Sequence, residues 1–193
     1  MKVTIIFGSP RKNGNTASLL APFMDELEKN GAEIEYFDVY EKQIAGCKVC
    51  LACQQDKTRM YCAIKDDMEP ILVSMAAADV IVFAAPIYLW TAPAPVKAVM
   101  DRSVYAACKY YGDDPHGPSL LEGKKVAVLT TCGYPVKMGI ELYEEVMKSY
   151  CKYGKMIYAG AYGERQKNLK DAFMDEEKEM RAREFARKIL KEA

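Results

Sequence analysis

Apolar residues gather in five short runs, Val3 to Phe7, Ile34 to Val39, Val80 to Ala84, Val126 to Thr130 and Met156 to Ala161, with helical periodicity between them. The first, third and fourth are nearly unbroken, as strands covered on both faces are, whereas Ile34, Tyr36, Phe37 and Val39 alternate more with charge and suit a strand nearer an edge. Strands alternating with helices predict an α/β fold around a parallel sheet. Leu20, Phe23, Met24 and Leu27 share one helical face, and Gly31 stands where a left-handed terminus is needed. Pro22 cannot donate to an earlier carbonyl and predicts a kink near residues 18–22 rather than an end to that helix. Asp66 with Glu69 reads as a capping box opening a helix through Met75, and Pro93 or Pro95 opens the next, about 94–105. The last helix, roughly 175–190, is acidic first and basic later, which complements its macrodipole and reads as a solvated face.

The 193 residues form one domain, 1–193, with a cysteine-rich loop at 44–66 and an inserted loop at 109–123 before the fourth strand. Half of the chain is hydrophobic, which excludes disorder. Twenty-seven Lys plus Arg balance 27 Asp plus Glu, so the basic stripe of a nucleic-acid footprint is missing. No apolar run has the length of a signal-peptide core or a membrane span, and a cytoplasmic protein without a membrane partner is expected.

In an open doubly wound sheet, ligands bind beyond the carboxyl ends of the strands. The loop after the first strand is GSPRKNGNT, Gly8 to Thr16, leading into a helix. Backbone N–H groups and the helix dipole there meet an anion, and Arg11 can add charge-assisted bonds; an ordinary glycine-rich turn is the plainer alternative. Five residues separate Gly8 from Gly14 and Asn15 stands in the lysine position, so a triphosphate loop is disfavoured and a phosphate monoester fits better. After the third strand, APIYLWTAPAP sets Tyr88 and Trp90 among prolines, able to line a flat aromatic ring; after the fourth, Gly133 of TTCGYP admits close backbone approach.

GSPRKNGNT, CAIKDDM (62–68), ADVIVFAAPIYLW (78–90) and VKAVMDR (96–102) together resemble the flavodoxin-like NADPH-dependent FMN reductase family, including its iron-sulfur flavoprotein branch. The resemblance implies a three-layer α/β/α, five-stranded parallel sheet of order 2-1-3-4-5 that binds FMN. It implies that Ser9, Arg11, Asn13, Asn15 and Thr16 hold the phosphate, that Pro86, Ile87, Tyr88, Leu89 and Trp90 flank the isoalloxazine, and that Thr131, Cys132 and Gly133 close its other side. It also implies a homodimer or homotetramer.

Cys47, Cys50, Cys53 and Cys62 give CxxCxxC, eight residues and a fourth cysteine. Thiolates at this spacing can converge on one metal group; a 4Fe-4S cluster, zinc, and free or redox-active thiols all stay open. The resemblance implies the cluster, although its last gap is usually shorter. Cys108 and Cys151 read as buried inert thiols, Cys132 as a small loop residue, His116 as a solvated loop residue, and Lys97 with Asp101 as a surface pair. No acid, base or nucleophile stands out, which suits a cofactor that carries the chemistry. The expected function is an FMN-dependent NAD(P)H oxidoreductase serving a small acceptor; the alternative is an electron carrier reduced by a ferredoxin-like protein, which the neutral charge disfavours.

Overall fold

The computed structural model describes residues 1–110, 114, 117–168 and 170–191. The elements run β1 (Lys2–Phe7), α1 (Asn15–Lys29), β2 (Glu33–Asp38), a short turn of 3-10 helix (Ala52–Gln54), α2 (Met68–Ala77), β3 (Val80–Pro86), α3 (Ala94–Ala107), β4 (Lys125–Cys132), α4 (Val136–Tyr153), β5 (Ile157–Arg165) and α5 (Glu176–Lys191). The five strands form one all-parallel sheet in the order β2-β1-β3-β4-β5, the flavodoxin-like order. The alternating β2 is indeed an edge.

Strand alternation divides the core between two faces. Val3, Ile5, Phe7, Val82 and Leu129 pack with α1 and α5, while Ile6, Ile81, Phe83, Val126 and Val128 pack with α2, α3 and α4. Each fully buried side chain of this size contributes about 1.5–3 kcal/mol, and both clusters hold many. Gly31 ends α1 at φ +78, as expected, and α1 stays helical through Pro22.

Three sequence expectations need correction. β5 extends to Arg165, past the expected end at Ala161, because Tyr162 to Arg165 pair with Leu129 to Cys132 of β4. The polar Glu164 on this extension is satisfied by Arg181 and Tyr162. Second, the basic half of α5 is not simply solvated. Arg183 pairs with Asp25, and Arg187 pairs with Glu26 at 2.9 Å, locking α5 onto α1. Third, the expected capping box is incomplete. α2 begins at Met68 with Asp67 as its N-cap. Asp66 does accept the Met68 N–H at 3.2 Å, but its other oxygen binds the Arg102 guanidinium at 2.5 Å and the Ala45 N–H at 2.9 Å. Asp66 thus serves the helix start with one oxygen and the buried cation with the other, and the Glu69 half of the box is what fails to form.

The two ends of the 109–123 insertion are drawn together: Lys109 N–H bonds to Pro118 O and Leu120 N–H to Ala107 O. His116 lies outside the described residues.

Candidate flavin site and cysteine loop

Strand order makes β1, β3 and β4 neighbours, so the three loops at their carboxyl ends face one another. Gly8 N–H bonds to Ala84 O at 2.8 Å, seating the first loop on β3. A Cβ at Gly8 would lie 2.0 Å from Val96 Cγ2, so this glycine lets the start of α3 close on the loop. The N-cap of α1 is Gly14, which offers no side-chain cap. The N–H groups of the first turn are thus left for an external acceptor. Arg11 and Asn13 are exposed beside them, and Arg11 makes no ion pair among the described residues. Ser9 is buried, its hydroxyl engaged with the Arg11 backbone.

Two residues of the expected phosphate group do a different job with their side chains. The Thr16 hydroxyl is buried 2.8 Å from that of Thr131, joining the first loop to β4. The Asn15 amide donates to Gln166 Oε1 at 3.1 Å, joining it to the segment after β5. What Asn15 and Thr16 can offer an anion is backbone N–H.

The second loop is a two-residue hairpin. Tyr88 and Thr91 exchange both backbone hydrogen bonds, and between them Leu89 (φ 49) and Trp90 (φ 59) are left-handed. Such a turn favours Asn and Gly, so two bulky residues there cost about 1–2 kcal/mol each. Strain of this kind gathers at ligand clamps. It holds Leu89 85% exposed and stacks Trp90 on Tyr134, centroids 5.5 Å apart. Pro86 and Ile87 begin the loop, with Ile87 N–H bonded to Thr131 O at 2.8 Å.

In the third loop, Arg165 Nε donates to Gly133 O at 3.0 Å and Gln166 N–H to Cys132 O at 2.9 Å. Burial pushes the Cys132 thiol up, and it donates to Tyr134 O. Expected as a small loop residue, Cys132 instead closes β4 as a buried one. Tyr134, Arg165 and Gln166 were missed from sequence. Tyr134 could have been found, since it follows Gly133 in the same loop, whereas nothing marks Gln166. Lys97 pairs with Asp101 as expected. Cys108 and Cys151 are buried, and burial pushes Cys151 to about 12.

The four clustered cysteines stand apart, against the end of α3. Cys53 and Cys62 are partly buried against the α2–α4 core, Cys47 is partly buried and Cys50 exposed. Burial pushes the Cys53 thiol up. Among the described residues, however, no three Cys, His, Asp or Glu side chains stand close enough together to hold a metal ion. The local backbone is unusual. Val49 (φ 50) and Leu51 (φ 55) are both left-handed around Cys50, a real outlier for a β-branched residue. Val49 N–H points at Cys47 Sγ, 3.4 Å away. Two cations, Arg102 and Lys109, are buried behind the loop. Soft donors and an N–H turned to sulfur suit a thiolate-ligated group in their chemistry, but the four cysteines as placed are not gathered around one metal site.

A family model for NADPH-dependent FMN reductase matches residues 1–162. An iron-sulfur flavoprotein of Methanosarcina thermophila is 39% identical over 104 residues, 54% of this chain and 53% of the relative, so the match spans about half that protein. Another, of Methanocaldococcus jannaschii, is 30% identical over 160 residues, 83% of this chain and 75% of the relative. Among solved structures, an NAD(P)H:quinone oxidoreductase from Methanothermobacter marburgensis superposes with TM-score 0.72 at 21% identity, covering 98% of this chain and 97% of that one. An FMN-dependent NADH-azoreductase from Bacillus anthracis, in complex with FMN, gives 0.70 at 16% identity, covering 97% and 98%. These superpositions carry the fold, and no described helix is long and apolar enough to cross a membrane. With loops, topology and residues 1–162 all in agreement, the chain belongs to the NADPH-dependent FMN reductase family.

Proposed function

We propose that the protein is an FMN-dependent NAD(P)H oxidoreductase that passes electrons to a small, quinone-type acceptor, and that Cys47, Cys50, Cys53 and Cys62 ligate a 4Fe-4S cluster. FMN, when bound, supplies the hydride-accepting ring nitrogen and the option of one-electron transfer. The chain's part is binding and orientation. Ser9, Arg11, Asn13 and the N–H groups of Asn15 and Thr16 would hold the phosphate. Pro86 to Trp90 would flank the ring, and Thr131, Cys132 and Gly133 would close its other side.

The observation that carries this reading is the strained Leu89–Trp90 turn, stacked on Tyr134 and tied through Thr131 to the uncapped start of α1. The oxidoreductase half rests on the family and on relatives named as quinone and azo reductases. The cluster half rests on the Val49 N–H at Cys47 and on relatives named iron-sulfur flavoproteins.

Anaerobic addition of NADPH or NADH to the FMN-loaded protein tests it: the flavin absorbance should bleach and return when a quinone is added. If neither nucleotide bleaches it but a reduced ferredoxin does, the protein is a carrier. The oligomeric state, a homodimer or homotetramer on the family's pattern, follows from light scattering of the same sample.

A further inference from the structure

Beyond the end of β5 a cavity of about 460 Å³ opens between the segment that follows the strand and α5, a size suited to a small-molecule ligand. It shares walls with the flavin site. Arg165, on its rim, donates from Nε to Gly133 O at 3.0 Å. Gln166, beside it, bonds through N–H to Cys132 O and accepts the Asn15 amide on Oε1. The cavity therefore touches the third flavin loop and the start of α1.

Its charges leave a surplus of donors at one end and a spare acceptor at the other. Lys178 is paired with Asp175, and Arg181 with Glu164 and Glu177. Arg165 and Lys167 line the same space and make no ion pair among the described residues. The Gly133 bond fixes the Arg165 guanidinium by Nε alone, so both terminal nitrogens stay available as a fork, the shape that grips a phosphate. Glu164 is 8% exposed, and its three donors, Arg181 Nε and Nη2 and the Tyr162 hydroxyl, all fall on Oε1. Its Oε2 takes no hydrogen bond among the described residues, and a carboxylate oxygen lining a cavity calls for a donor such as a sugar hydroxyl. A lone phosphate would answer the two cations but neither fill the space nor meet Glu164. A nucleoside diphosphate does all three.

We propose that this cavity holds the adenosine diphosphate half of the nicotinamide nucleotide, with Arg165 and Lys167 on its phosphates and Glu164 Oε2 accepting from a ribose hydroxyl, an inference that rests on the oxidoreductase reading above. Arg165, tied to Gly133, then sets where the nucleotide turns towards the flavin loops. These contacts are remote from the reacting ring and are made equally before and during hydride transfer, so they govern affinity and not the limiting rate.

Two measurements on FMN-loaded protein test this. Calorimetric titration with 5′-ADP reads the cavity without turnover. Anaerobic stopped-flow reduction compares NADH or NADPH, whichever bleaches the flavin faster, with N-benzyl dihydronicotinamide, which delivers the same hydride but carries no ribose or phosphate. The parent should bind 5′-ADP one to one, tighter than inorganic phosphate and in competition with the nucleotide. Lys167→Glu should weaken 5′-ADP and raise the nucleotide concentration for half-maximal reduction at least tenfold, while the limiting rate and reduction by the benzyl compound stay within twofold of the parent. Arg165→Gln should weaken 5′-ADP by at least as much. The proposal is overturned if the parent does not bind 5′-ADP, if inorganic phosphate binds as tightly, or if Lys167→Glu binds 5′-ADP like the parent or slows the benzyl compound as much as the nucleotide. If 5′-ADP binds as stated but neither NADH nor NADPH bleaches the flavin, the oxidoreductase reading itself falls, and this inference with it.

Discussion

Asp66→Asn removes the one carboxylate that faces the fully buried Arg102 guanidinium. The other acceptors, Ala45 O at 3.2 Å and Ile64 O at 3.5 Å, are uncharged and longer, and do not replace a 2.5 Å charge-assisted contact. Breaking a buried pair from one side costs about 3–5 kcal/mol, because a charge is left without compensation. That is a large part of a total stability of roughly 5–15 kcal/mol. In urea unfolding at neutral pH, with a slope of about 2 kcal/mol per M, the midpoint should fall by about 1.5–2.5 M at unchanged slope. Asp66→Leu combined with Arg102→Met should recover much of the loss, since a well-packed apolar pair removes both charges together. The same pair gives a pH signature. Burial raises the Asp66 carboxyl, but Arg102 and the N–H groups of Ala45 and Met68 outweigh it and hold it below its ordinary 3.8. Its contribution is thus complete above pH 3.8 and disappears as pH falls through the depressed folded value. Parent and Asp66→Asn stability curves should converge below that pH. A loss under about 1 kcal/mol at neutral pH would mean that Arg102 is hydrated, and the account of the loop anchor would fail.

Other outcomes follow from the same geometry. Gly8→Ala drives a Cβ to within 2.0 Å of Val96 Cγ2; overpacking of this kind costs about 1–3 kcal/mol, and FMN affinity measured by fluorescence quenching should drop with it. Thr131→Val leaves the buried Thr16 hydroxyl without its partner at 2.8 Å, which should cost about 1–3 kcal/mol in thermal or urea unfolding; no change would show that the hydroxyl finds water instead. In metal-free protein, brief iodoacetamide treatment followed by peptide mass spectrometry should label exposed Cys50 first. Buried Cys108, Cys132 and Cys151 should lag, since desolvation raises all three thiols. Early labelling of Cys151 would contradict its burial.

How far the chain could be read without coordinates depended on which signals are local. Continuous apolar runs placed β1, β3 and β4, because strands covered on both faces exclude charge along their length. Gly31 marked its helix end, because a left-handed position selects glycine almost unaided. The phosphate loop and the Tyr88–Trp90 turn were legible because all their parts lie within a few residues. Asp66 was only half read because capping is a local rule, and its second partner, Arg102, lies 36 positions away. Arg102 and Lys109 themselves escaped notice, since single cations near a helix end normally read as surface. The α5 arginines met their acids across 158 and 161 positions. Gln166 reaches Asn15 over 151. Those pairings exist only after the sheet has brought distant segments together.

On the proposed reading, the uncapped start of α1 holds a terminal phosphate while the Leu89–Trp90 turn bears the flavin ring. Fluorescence titration of flavin-free protein with FMN and, in parallel, with riboflavin, which lacks only the phosphate, tests both halves at once. Two charge-assisted hydrogen bonds of about 1.5 kcal/mol each predict 1:1 FMN binding on the order of 100-fold tighter than riboflavin. Equal affinity for the two, or no binding of FMN, would contradict it.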